Sequence, residues 1–112
     1  MQKHDMTWML LISVMAFGSA NAGDDAIHIR TLAASCAACH GTNGNSVGGT
    51  PVLAGLDQGH FTSQMLAFRS GERPSTVMHR HAKGLTPAEI EQLAHYFAAQ
   101  PRTAAITPTP VE

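Results

Sequence analysis

The chain has 112 residues, with 7 Lys and Arg against 8 Asp and Glu, a formal net charge of −1 and only two cysteines. That balance excludes the strongly basic surface that nucleic-acid binding requires. The length suits one small domain with a modest core of its own.

Lys3 and His4 precede an apolar run, Met9 to Phe17, far shorter than the ~20 residues a membrane span needs. Ala20-Asn21-Ala22 follows with the small-residue pattern of a cleavage site. Residues 1–22 therefore read as a secretory signal peptide cleaved after Ala22, with an uncleaved anchor as the competing reading. On this reading the mature chain is periplasmic, with no membrane span. Trp8 belongs to the leader, which leaves Phe61, Phe68, Tyr96 and Phe97 as the mature aromatics. So few aromatics give a thin core, and a bound cofactor would add apolar surface.

Asp24-Asp25 can cap and charge the start of a helix over 26–38. Ile29, Leu32, Ala33 and Cys36 recur at three- and four-residue steps and give it one buried stripe. Gly41 ends it, and the stretch 42–51 is a loop rich in Gly, Asn, Ser and Pro. A second helix is expected over 58–70, capped by Asp57, lined by Phe61, Met65 and Phe68, and stopped by Gly71. Residues 71–84 read as another loop. The third helix has the strongest start signal: Thr86 at the N-cap, Pro87 at the first helical position and Glu89 completing a capping box. Ile90, Leu93, Ala94 and Phe97 form its inner stripe, and Pro101 marks its exit. The domain is placed at 23–102, followed by a flexible Thr/Pro tail over 103–112. No segment shows a strand pattern, so the fold class is all-α.

Both cysteines fall in the string Cys36-Ala37-Ala38-Cys39-His40, the c-type haem attachment signature. Two thiols three residues apart on a helix share a face. They can reach the two vinyl groups of one porphyrin, and His40 can offer a ring nitrogen to the iron from the same side. A thioredoxin-like pair would need an α/β context, and structural zinc would need a second ligand pair. A plain disulfide leaves His40 without a role. One covalently attached haem c is the cofactor this string implies.

Electron-transfer haems commonly take a methionine opposite the histidine, which raises the potential. Only Met65 and Met78 are available in the mature chain. Met65 falls on the apolar face of the second helix and reads as core. Met78 stands in a loop without an apolar period, where iron ligation gives it a reason to be. His79 and His81 are its rivals in the same loop, whereas His28, His60 and His95 read as surface or partly buried helix residues.

The run from Arg30 to Gln100 resembles small class I cytochromes c, above all the cytochrome subunit of flavocytochrome c sulfide dehydrogenases. The residues that carry the resemblance are Cys36 to Gly44, Thr50-Pro51-Val52-Leu53-Ala54-Gly55-Leu56, Gln64 to Arg73, Thr76-Val77-Met78-His79 and Leu93 to Ala98. It implies three main helices around one haem, with the first and last packed near a right angle. It also implies Met78 as distal ligand and Pro51 as the residue whose carbonyl accepts the other ring N–H of His40. Unlike mitochondrial relatives, the mature chain has no tryptophan for a haem propionate, which leaves Arg69, Arg73 or Arg80 for that task. The expected function is single-electron transfer through the haem edge, with redox proteins as partners, among them a flavoprotein that oxidises sulfide. The chain would then be a carrier and not itself an enzyme. The alternative is a haem enzyme, or a sensor of gas or peroxide, with a labile distal ligand.

Overall fold

The computed structural model describes residues 20–103. Among these residues are four α-helices: α1 over Ala20–His40, α2 over Gln58–Ser70, α3 over Met78–Lys83 and α4 over Pro87–Ala98. A short 3-10 turn spans Thr42–Gly44, and no strand occurs among the described residues. The all-α expectation holds.

The apolar run of the expected leader lies outside the described residues, as does the tail beyond Thr103. Ala20, Asn21 and Ala22 open α1, which is longer at both ends than the expected 26–38. Residues 21–28 of that helix are all exposed, so burial begins only at Ile29. From there Ile29, Ala33, Cys36 and His40 follow at steps of four, three and four, a single inward stripe.

α2 and α4 begin and end where their caps dictate. Asp57 accepts the N–H of His60 at 2.8 Å, and Gly71 closes α2 in the left-handed region at φ 83°. On α4, Thr86 Oγ1 accepts the N–H of Glu89, and the Glu89 carboxylate accepts the N–H of Thr86 at 2.8 Å. α3 is a correction to the expected loop. Its six residues carry no apolar period, but their run is free of Gly and Pro until Gly84. Ala82 at its inner side is fully buried.

Ile29, Ala33, Phe61, Met65, Ala82, Ile90, Leu93, Ala94 and Phe97 form one buried cluster. α1 packs on α4 and on the 3-10 turn, while α2 packs on α3 and α4. Phe97 is the centre of the aromatic contacts, 5.7 Å from Phe61 and edge-on to Tyr96 at 5.2 Å between centroids. Leu32 and Tyr96 pack against the same cluster, which includes Ala33 and Phe97. His28 Nε2 and Glu89 Oε1 lie 2.8 Å apart and tie α1 to the capping box of α4. That link joins residues far apart in the chain, and no local pattern announces it.

The chain after α1 turns tightly. Gly41 adopts φ 78° and a Cβ there would overlap the carbonyl of Asn45. Gly44 adopts φ 77°, with space for a Cβ closed by Ala54 N at 2.8 Å, and its carbonyl receives the N–H groups of Leu53 and Ala54. The loop carrying Pro51 is thereby folded back onto the end of α1.

Thr86→Ala removes the N-cap of α4 and should lower the stability of the haem-loaded protein by about 1 kcal/mol, read from the denaturant midpoint. Hydrogen bonding from the Thr86 backbone, then from His28, holds the Glu89 carboxyl below the usual glutamate range. Its stabilising effect should therefore be complete at neutral pH and lost as pH falls through that lowered value. Gly41→Ala should cost about 1–3 kcal/mol for the left-handed backbone alone. Thermal unfolding of the holoprotein checks this, with an unchanged melting temperature counting against the tight turn.

Candidate haem site

His40, the last residue of α1, is the one buried polar residue among the described residues whose side chain is polar or charged, at 8% exposure. Its Nδ1 lies 2.8 Å from the carbonyl oxygen of Pro51. A carbonyl can only accept, so Nδ1 carries the proton and donates it. The lone pair of Nε2 is then free for a metal, and the ring is held in one orientation. The contact that the resemblance implies between His40 and Pro51 is present in the folded chain.

Cys36 is half-buried on the inner stripe of α1, and Cys39 is exposed one turn on. The two thiols are free, with no disulfide between them. Burial pushes the Cys36 thiol above its ordinary pKa, an effect that a hydrogen bond from Ser35 partly offsets. A thiol in that state resists ionisation and behaves as an apolar group packed against the core. Cys36 Sγ also lies 3.7 Å from the carbonyl oxygen of Leu32.

Met78 is the first residue of α3 and packs, half-buried, against the core cluster. Met65 is part of that cluster itself, as its place on α2 predicts. His79 and His81 follow on α3, His79 half-buried and His81 exposed. His28, His60 and His95 are all exposed. Among the candidate propionate partners, Arg69 donates to the carbonyl of Leu85 at 3.0 Å. Arg73 donates to Gln64 and lies over the Phe68 ring at 4.7 Å, and Arg80 is exposed.

These residues fit a c-type haem. A buried imidazole presents one free nitrogen, two unpaired thiols precede it at the required spacing, and a thioether lies against the same core. No group of three or more His, Cys, Asp and Glu forms an alternative metal cluster among the described residues. No described helix is long and apolar enough to cross a membrane. An open groove lined by Ile29, Arg30, Glu91, His95 and Tyr96 between α1 and α4 involves none of the haem-motif residues.

Comparison with known proteins agrees with this geometry. The cytochrome subunit of sulfide dehydrogenase from Chlorobaculum tepidum is 47% identical over 66 residues, 59% of this chain and 60% of that protein. The thiosulfate dehydrogenase electron acceptor of Thiomonas intermedia is 43% identical over 68 residues, but only 31% of its length is matched. Cytochrome c-554(548) of Halomonas halodenitrificans is 33% identical over 87 residues, which cover 74% of this chain and 98% of that protein. The chain thus spans less than two thirds of the first two relatives and nearly the whole of the third. The family model for cytochrome c matches residues 29–100, from the first buried residue of α1 to just past the end of α4. A match over more than half of the chain, with the haem string inside it, makes this protein a member of the cytochrome c family with haem c as its cofactor.

Proposed function

We propose that this chain is a periplasmic monohaem electron carrier, exported with a leader cleaved after Ala22. Its source of single electrons is a dehydrogenase that oxidises a reduced sulfur compound. The observation that carries the reading is the buried His40, with Nδ1 engaged by Pro51 and Nε2 left to bind iron.

In this reading Cys36 and Cys39 would hold the haem through two thioethers, and His40 and Met78 would ligate its iron. Bound haem c supplies a one-electron ferric/ferrous couple. The chain's residues set the terms of that couple. The hydrogen bond to Pro51 raises the basicity of His40, the Met78 thioether favours the reduced state, and core packing keeps water away. Were His40 and Met78 both to ligate the iron, no position would be left for a substrate, and the chain's role would be transfer and not catalysis.

Val47 and Val77 are exposed, and they stand in the segments that carry Pro51 and Met78. Apolar side chains there suit the small contacts of transient redox partners. The sulfide dehydrogenase and thiosulfate dehydrogenase named among the relatives support a sulfur-compound donor. A flavoprotein is the donor that the resemblance implies. A haem enzyme or sensor with a labile distal ligand is the competing reading, and ligand binding decides between the two.

An absorption spectrum of the periplasmic protein is the direct test. The ferric form should show a weak far-red band that disappears in Met78→Ala, with a lowered reduction potential in the variant. Reduced wild type should resist carbon monoxide, and rapid binding would favour the enzyme or sensor. Replacing Cys36 and Cys39 together with Ala should leave any remaining haem extractable by acidic organic solvent. A folded, haem-free double variant would contradict the role of the cofactor in the core. A dedicated flavoprotein donor should co-purify in stoichiometric complex and reduce the haem when sulfide is added; a lone monomer would count against it.

A further inference from the structure

Three side chains at α3 are chemically able to bind iron: Met78, His79 and His81. Imidazole is a good ligand for iron in its own right, so a chain that presents Met78 must keep its neighbouring imidazole from competing. His79 is adjacent to Met78 and equally half-buried. Ser75 Oγ accepts the backbone N–H of His79 at 2.9 Å and lies 3.1 Å from its Nδ1. Ser75 is half-buried as well, which limits competition from water for both contacts.

We propose that Ser75 is a positioning residue that selects methionine as the distal iron ligand by tethering the His79 imidazole to its own backbone turn. The inference rests on Met78 being that ligand. The Ser75 oxygen accepts the His79 backbone N–H, and in this proposal the hydroxyl donates its one proton to Nδ1. A neutral imidazole that accepts there carries its remaining proton on Nε2. Neither ring nitrogen then offers a lone pair to iron: one accepts from Ser75 and the other is protonated. Ser75 does this while also satisfying a backbone N–H at the start of α3, where Val77, the N-cap, makes no side-chain bond. His81 has a different status, because it is exposed one turn further on and needs no tether to stay in solvent.

The test uses the haem-loaded chain in four forms: wild type, Ser75→Ala, Ser75→Thr and the double variant Ser75→Ala with His79→Gln. The ferric far-red band and the reduction potential are measured at neutral pH. Ser75→Ala should lose most of the band and shift to lower potential as His79 replaces Met78. Ser75→Thr keeps the hydroxyl and should keep the band. The double variant still lacks the hydroxyl but has no competing imidazole, and it should recover both band and potential. An intact band in Ser75→Ala overturns the proposal. Equal loss in the double variant also overturns it, because Ser75 would then act only through the start of α3. Absence of the band from wild type would instead defeat the assignment of Met78 itself, so the two failures are distinguishable. Should Ser75→Ala fail to accumulate, nitrogen NMR of the diamagnetic ferrous wild type decides alone. Its His79 ring should be protonated on Nε2 with Nδ1 accepting, and a proton on Nδ1 overturns the proposal.

Discussion

His40 ends α1 with one ring nitrogen taken by the carbonyl of Pro51, 2.8 Å away, and the loop between these two residues is shaped to permit that contact. Gly41 and Gly44 take left-handed conformations that other residues adopt only with strain, and both are closed in by backbone atoms on the side where a Cβ would stand. The Gly44 carbonyl then gathers two successive N–H groups from Leu53 and Ala54. The Gly55 N–H reaches the Phe97 carbonyl at 2.9 Å, so the same loop is fastened to the end of α4. A single hydrogen bond of this kind contributes only about 1 kcal/mol to stability. Its importance is directional: it fixes which nitrogen of a buried ring is available to a metal.

Much of this was legible from local pattern. The stripe of Ile29, Ala33 and Cys36 extends by one more helical step to His40, so the periodicity that buries the first helix also carries the histidine inward. Thr86, Pro87 and Glu89 specify the start of α4 within four residues, and Asp57 and Gly71 bracket α2, because caps answer backbone needs that do not depend on tertiary context. The joining of Leu32 and Ala33 with Tyr96 and Phe97 around one cluster was accessible only through the resemblance, since it links opposite ends of the chain.

Other features had no local signal. α3 is six residues long, with neither an apolar stripe nor a side-chain N-cap of its own, and its helical form draws on Ser75 and on burial of Ala82. α1 runs through Ala20-Asn21-Ala22 because nothing in that triplet breaks a helix, whatever other signal it carries. The bond between His28 and Glu89 spans a sequence distance at which pattern has no reach. Arg69 and Arg73 were open to a ligand role by charge alone; in the fold their guanidinium groups are turned to Leu85, Gln64 and the Phe68 ring.

Asn45 grips the chain beyond α4 from both sides of its amide, donating to the Pro101 carbonyl at 3.1 Å and accepting the Thr103 N–H at 2.9 Å. Between them Arg102 donates to the Ala54 carbonyl at 2.9 Å. The exit of the polypeptide is therefore stitched to the loop that positions Pro51, and not merely to the last helix. Anything attached beyond Thr103 would pull on that loop along a path of three hydrogen bonds. Tension or docking at the trailing end of the chain would then reach the loop that holds the His40 ring as directly as it reaches α4.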